Sequence, residues 1–473
     1  MQLLPRLCMA TGTGTGDGDR EGNGNSSKLS TAVSSSSSTV STSSAAAAAV
    51  SEASSSSTSL PSLPSLSSAT SASLAASFAH VTTLLPLSAS SAAVVAAAAG
   101  DCLHGGLVVV ARPACVALHD LSTLEATSTS DAADAAAAAG SVKCVAHLHG
   151  GGGAAAAAVT GHQDGRLRLW RVSSRSPARL RLAAALPTVS DRLRRFPVPS
   201  NHVTVRRHHR RLWIEHADAV SGVAASADGR LLFSVSWDKT LKVWALPSLR
   251  CLQSLPAHDD AVNAVAVAPD GTVYTASADK RVRVWAPGRP DNKPPPPSSR
   301  RGARGGSKKH QQQQPGVYHL VATLSRHTAA VNALAVGCAG QALYSGGNDR
   351  CVLVWEREDS ASHMVAVGAL RGHRRAVLSV ACAPGGLVVS GSADQTVRAW
   401  RRAADGRGYG CVAVIDGHDT AVRSVAAAPV SIQKRSREGG VDGGDEEEWK
   451  VCSASFDGEV RVWSLRVSVY YLS

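Results

Sequence analysis

Residues 216–244 read HADAVSGVAASADGRLLFSVSWDKTLKVW. The pattern returns as HDDAVNAVAVAPDGTVYTASADKRVRVW at 258–285, HTAAVNALAVGCAGQALYSGGNDRCVLVW at 327–355 and HRRAVLSVACAPGGLVVSGSADQTVRAW at 373–400. A fifth copy starts as HDTAVRSVAAAP at 418 and resumes as VCSASFDGEVRVW at 451–463. In each copy an Asp stands six residues before a Trp: Asp238/Trp244, Asp279/Trp285, Asp349/Trp355, Asp394/Trp400 and Asp457/Trp463, with a further case at Asp164/Trp170. His216, His258, His327 and His373 precede their Asp by 21 or 22 residues, whereas His418 precedes its own by 39 because of an insertion. A fixed step between chemically unlike residues marks a repeated structural unit. Trp237-Asp238, the only Trp-Asp dipeptide in the chain, takes part in that step through its Asp alone.

Within each unit apolar residues alternate with period two, and the runs are separated by turn sequences such as ADG, PDG, PGG and ADK. A fourth run follows the Trp, as in RCLQSLPA, YHLVATLS, HMVAVGAL and GCVAVIDG. Four short antiparallel strands per ~40–45 residues build a propeller blade, and several blades must stack because one alone leaves both faces wet. Two weaker units precede the five. One contains SVKCVAHL and ends at Trp170; the other, AAVVAAAAGDCLHGGLVVVARPACVALHD, ends in His119-Asp120 where a Trp is expected. The prediction is therefore all-β: a seven-bladed β-propeller of four-stranded antiparallel blades over 76–473, behind a disordered tail at 1–75. SFAHVTTLLPL from 77 resembles an outer strand with no unit of its own, and is expected to close the last blade and remove a free sheet edge. The ending RVSVYYLS competes for that place. Inserted loops are expected near 186–211, 287–316 and 430–448.

These residues resemble the WD-repeat β-propeller family, over 76–473. The resemblance implies a recurrent hydrogen-bonded set of His, hydroxyl, Asp and Trp. It assigns His216, Ser236, Asp238 and Trp244; His258, Ser277, Asp279 and Trp285; His373, Ser392, Asp394 and Trp400; and His418, Ser455, Asp457 and Trp463. In the unit of His327, Asp349 and Trp355, Gly347 occupies the hydroxyl position, so that network is expected to be incomplete. Asp164 and Trp170 have no clear His upstream. A buried carboxylate needs donors, and the imidazole, hydroxyl and indole N–H form a network that satisfies one another. Near-identical copies exclude a hydrolase triad, since an enzyme needs one site. The segment LPTVSDRLRRFPVPSNHVTVRRHHRRLWIEHADAVSG, with the Ser-rich start, is similar to the plant Jingubang-like subgroup of these proteins.

Aromatic residues are only 4% of the chain, and its apolar content is mostly Ala, Val and Leu, which suits tightly stacked strands. No apolar run reaches the ~18 residues a membrane span needs. Ten cysteines without a Cys-x-x-Cys motif read as reduced thiols of a cytoplasmic or nuclear protein. The net charge of +13 is concentrated in two places. VRRHHRR carries Arg206, Arg207, Arg210 and Arg211, and 289–309 holds seven Lys and Arg against Asp291. The tail, almost wholly Ser, Ala, Thr and Gly, cannot offset its ordering entropy. A plastid transit peptide also fits its Ser and Ala, but Asp17, Asp19 and Glu21 fit poorly. Gln2 excludes N-myristoylation, and TGTGTGDG follows no strand that would make it a phosphate loop. His147 with His149, and His208 with His209, lack further ligands at metal-binding spacing.

The expected function is a non-enzymatic protein–protein interaction scaffold, monomeric, without cofactor or metal, probing partners through exposed loops. Arg206, Arg207, Arg210 and Arg211 are candidate partner-binding residues. Two alternatives stand beside it. The basic stretches could hold nucleic acid by counterion release, although only Trp213 is placed to stack on a base. A ubiquitin-ligase substrate receptor would carry Trp-Asp-x-Arg at the end of a repeat; here Trp463 is followed by Ser464, Leu465 and Arg466, so the Arg is present and the Asp is not.

Overall fold

Period-two alternation becomes strand nearly everywhere it occurs. The computed structural model describes residues 63–66, 75–84, 96–99 and, in segments, 107–469, with breaks at 113–114, 122, 131–140, 149–155, 174–178, 207–208, 289–316, 338–339, 358–363, 404–407 and 434–444. Four sheets are sequential antiparallel quartets, spanning 220–256, 262–324, 331–371 and 377–415. An eight-stranded sheet contains two more quartets, 96–130 and 142–186. They join where the outer strands Ala126–Ser130 and Arg179–Leu186 pair in parallel, Thr129 opposite Arg179 and Ser130 opposite Leu180.

The remaining quartet takes three strands from the C-terminal region, Val422–Gln433, Asp445–Ser455 and Val460–Val469, and its outer strand, Ala75–Leu84, from the other end of the sequence. That strand pairs antiparallel from Ala75–Ser468 to Leu84–Val460. RVSV is the end of strand Val460–Val469 itself, so it does not compete for the outer place. The innermost strand of each quartet touches the innermost strand of the next, and Val422–Gln433 returns to Ala96–Ala99. Sheets arranged around a ring in this way form a β-propeller.

The sheet faces bury one another. Phe233, Val235, Leu241 and Val243 of one quartet pack on Val262, Val265, Val273 and Trp285 of the next. Trp170, Trp244, Trp355 and Trp400 are fully buried. Each follows a bulge in the pairing of the third strand with the fourth. In the 96–130 quartet His119 stands at this register position after the same bulge, opposite Val108 as Trp244 is opposite Leu232.

Three expectations need correction. The described residues of the insertion at 186–211 are more than a loop: they form the helix Val189–Arg195, a 3-10 turn Pro199–Asn201 and the antiparallel pair His202–Arg206 and His209–Leu212. The insertion at 430–448 partly prolongs a hairpin, whose pairing continues to Gln433 opposite Glu446. Within the tail, residues 63–66 are placed against the propeller, because Leu63 and Leu66 supply the apolar surface that the Ser and Ala around them lack. Residues 1–62 and 67–74, and 289–316 of the second insertion, lie outside the described residues. No helix among the described residues is long and apolar enough to cross a membrane.

Candidate protein-interaction surface

Five quartets contain the same buried chain of hydrogen bonds. In the first, Trp244 Nε1 donates to Ser234 Oγ at 2.9 Å, Ser234 Oγ lies 2.8 Å from His216 Nε2, and His216 Nδ1 lies 3.0 Å from Asp238 Oδ2. The equivalents are Trp285–Thr275–His258–Asp279, Trp355–Ser345–His327–Asp349, Trp400–Ser390–His373–Asp394 and Trp463–Ser453–His418–Asp457, with His–Asp separations from 2.6 to 3.3 Å. The polarity is determined by the indole, which can only donate. The hydroxyl accepts from Trp and so gives its proton to Nε2, leaving Nδ1–H to donate to the carboxylate. Only a neutral imidazole protonated on Nδ1 completes this chain. Burial holds His216, His258 and His418 below the ordinary imidazole value, outweighing the attraction of their Asp partners. Burial alone would raise the Asp238 carboxyl, but hydrogen bonds from His216, Thr240 and the Ala217 N–H hold it well below the carboxylate range.

The hydroxyl in this chain lies four residues before the Asp, where sequence reading had placed it two before. Ser236, Ser277, Ser392 and Ser455 do different work. Each accepts from or donates to the turn backbone, as when Ser236 Oγ donates to Asp218 O and accepts from the Asp238 N–H. Residues at both positions are fully buried on one face of the strand, and only depth separates them. The network of His327 is complete, because Ser345 supplies its hydroxyl and Gly347 occupies the turn position. A Cβ at Gly347 would lie 2.9 Å from both Asp349 Oδ1 and His327 Nδ1. The unit ending at Trp170 has a variant: Trp170 Nε1 donates to Thr160 Oγ1, which pairs with His162 Nε2 at 2.8 Å. His162 comes from the strand itself, two residues before Asp164, while Asp164 pairs with Arg168 at 2.9 Å. The signal missed in the sequence was Ser or Thr ten residues before every Trp of the six units.

These networks are interior, so recognition must come from elsewhere. The helix Val189–Arg195 is amphipathic in the reverse sense to most surface helices. Thr188 caps it, its Oγ1 accepting from the Asp191 N–H at 3.2 Å. Its polar side faces the protein. Buried Asp191 pairs with Arg195 at 3.1 Å, Arg195 stacks 4.5 Å over Trp213 and donates to Cys251 O, and Arg192 pairs with Glu215 at 2.7 Å. The apolar side faces solvent: Val189, Leu193 and Phe196 are 70%, 67% and 65% exposed. His202 Nε2 donates to Phe196 O at 2.9 Å, so the hairpin holds the end of the helix. Between helix and hairpin lies a cleft of about 360 Å³ lined by Val189, Leu193, Phe196, His202, Arg210 and Leu212.

The four candidate arginines have separate fates. Arg210 is exposed at the cleft, opposite Thr204 in the hairpin. Arg211 donates to His216 O at 3.0 Å and so supports the loop into the next quartet. Arg206 ends a strand of the hairpin, and Arg207 lies outside the described residues. Sequence reading had not singled out Arg194, which is exposed on the helix. Arg194 and Arg210 form no ion pair among the described residues, whereas Asp191 and Glu215 are both already paired. Arg466, the remnant of the Trp-Asp-x-Arg pattern, approaches Glu448 at 3.5 Å. Among the described residues no group of three or more potential metal ligands is present, and the described cysteines are free thiols.

The ring of four-stranded sheets, with a buried Trp on the third strand of six of them and His119 at that place in the seventh, defines a repeat-built propeller. Five segments, 208–245, 249–286, 318–356, 364–401 and 409–464, match the profile of the WD domain, G-beta repeat, and the chain belongs to the WD-repeat proteins. Similar proteins include nuclear distribution protein PAC1 of Scheffersomyces stipitis, 29% identical over 22% of this chain and 18% of the relative. Mitochondrial division protein 1 of Schizosaccharomyces pombe is 28% identical over 30% of this chain and 20% of its own length. The guanine nucleotide-binding protein subunit beta of the same yeast is 37% identical over 14% and 22%. The alignments thus span a quarter or less of these relatives. WD repeats generally serve as non-enzymatic protein-interaction scaffolds.

Proposed function

We propose that this protein is a non-enzymatic adaptor, a monomeric seven-bladed propeller whose insertion at 186–215 receives an acidic, apolar segment of another protein. The observation that carries this reading is the outward apolar face of the helix Val189–Arg195, flanked by Arg194 and Arg210. Apolar side chains clustered on a surface are costly to leave in water and are a mark of interaction sites. The seven charged arginines of 186–215 outnumber its two acids, and both acids are consumed internally, so the local field favours an acidic partner. Similarity of the 186–222 wording to the plant Jingubang-like subgroup supports a regulatory plant role, and the free thiols of the described cysteines support a cytoplasmic or nuclear location.

The test is a titration of the full chain with a labelled peptide alternating Glu with Leu and Phe, against its counterpart with Lys in place of Glu. The acidic peptide binds, its affinity falls as salt rises, and Leu193→Asp/Phe196→Asp abolishes it. Equal binding of the basic peptide, or retention by the double variant, would exclude this surface.

A further inference from the structure

The outer strand of a propeller blade normally leaves a row of backbone groups facing solvent. On the outer strand Met364–Arg371 part of that row is taken by a distant piece of the chain. Ser65 bridges Ala369 in parallel: Ala369 N donates to Pro64 O at 3.0 Å and Leu66 N donates to Ala369 O at 2.9 Å. The segment also reaches the neighbouring quartet, whose Tyr409 N donates to Leu66 O at 3.0 Å. Leu63 packs with the cluster of Leu353, Met364 and Ala369, and Leu66 with that of Tyr344, Leu370 and Tyr409.

Gly368 makes room for this. An added Cβ there would lie 2.4 Å from Leu66 Cγ and 2.8 Å from its Cδ1. Gly368 is opposite Val354, and the residues at this register in other quartets are Ala184, Gln253, Ala322 and Ala413. Each has a Cβ, so the slot belongs to this blade. The segment that fills it is one of two overlapping copies of Leu-Pro-Ser-Leu, at 60–63 and 63–66. Proline pre-sets an extended backbone, which lowers the ordering cost of adding a strand at an edge.

We propose that the slot between the outer strands Met364–Arg371 and Tyr409–Ile415 is a peptide-binding site for extended Leu-Pro-Ser-Leu, occupied in cis by residues 63–66. Two backbone bonds to Ala369 fix the strand direction, the bond from Tyr409 fixes its end, and Gly368 selects Leu at the last position. The tether keeps the segment at an effective concentration on the order of millimolar, so the same motif added in trans competes poorly with it.

The experiment uses full-length protein and a labelled synthetic peptide of residues 60–68. Leu63→Asp/Leu66→Asp destroys both cis copies and exposes the slot, so this variant binds the peptide whereas wild type does not at micromolar concentrations. Adding Gly368→Leu to the double variant removes binding. Amide exchange of Ala369 and Tyr409 reports the cis contact independently, with protection in wild type and faster exchange in the double variant. Absence of peptide binding by a folded double variant, binding that survives Gly368→Leu, or unchanged exchange at Ala369 would each overturn the assignment.

Discussion

Ser234 and Ser236 are two residues apart on the same strand face and equally buried, yet only one of them links Trp244 to His216. Ser234→Ala removes the acceptor of the Trp244 indole N–H and the donor to His216 Nε2, both buried in the interior. Each orphaned buried group costs about 1–3 kcal/mol, so the substitution is expected to cost about 2–5 kcal/mol. Ser236→Ala also loses two bonds, but their partners, Asp218 O and the Asp238 N–H, lie at a turn that water reaches; about 1–2 kcal/mol is expected. Denaturant unfolding followed by tryptophan fluorescence measures the difference, and the indole N–H resonance of Trp244 measures its origin. Ser234→Ala shifts that resonance and Ser236→Ala leaves it in place. If Ser236→Ala is the more costly of the two and moves the Trp244 signal, the assignment of the network is wrong.

Three further outcomes follow from the same geometry. His216, His258 and His418 take protons less readily when folded than their ordinary value of 6.5, so the unfolded chain binds more protons and stability falls as pH drops below about 6.5. The depressed carboxyls of Asp238, Asp279, Asp349 and Asp394 add a second loss below about pH 3.8; a melting temperature that rises on acidification from pH 7 to 5 would contradict this. Lys280, exposed and in the left-handed region at φ 69°, should gain about 0.5–1 kcal/mol on replacement by Gly, measured as an increase in melting temperature. Gly347→Ser, which restores the residue found in other units, should cost about 1–3 kcal/mol in chemical unfolding because its Cβ crowds His327 and Asp349.

The blade repeat was legible because two periodicities coincide: alternation along each strand and the six-residue step from Asp to Trp. Closure by 75–84 was legible too, since SFAHVTTLLPL has an outer strand's rhythm and no unit of its own. The hydroxyl position was missed because residues two apart on a strand share a face, and sequence pattern carries no information on depth. His162 was missed because it reaches Thr160 from within its own strand rather than from the preceding loop. The insertion at 186–211 read as a loop because its apolar residues are too few for a core. Their i, i+4, i+7 spacing at Val189, Leu193 and Phe196 was present, but only tertiary contacts of Asp191, Arg192 and Arg195 determine that this face points outward. The slot for 63–66 depends on Gly368, whose meaning appears only when its register is compared with that of the other blades.

The adaptor reading is tested most directly by quantitative co-purification of the wild-type chain and the Leu193→Asp/Phe196→Asp variant from the same cells, with equal melting temperatures as the control for folding. The account predicts that proteins retained by wild type fall severalfold in the variant. An unchanged set of retained proteins would contradict it.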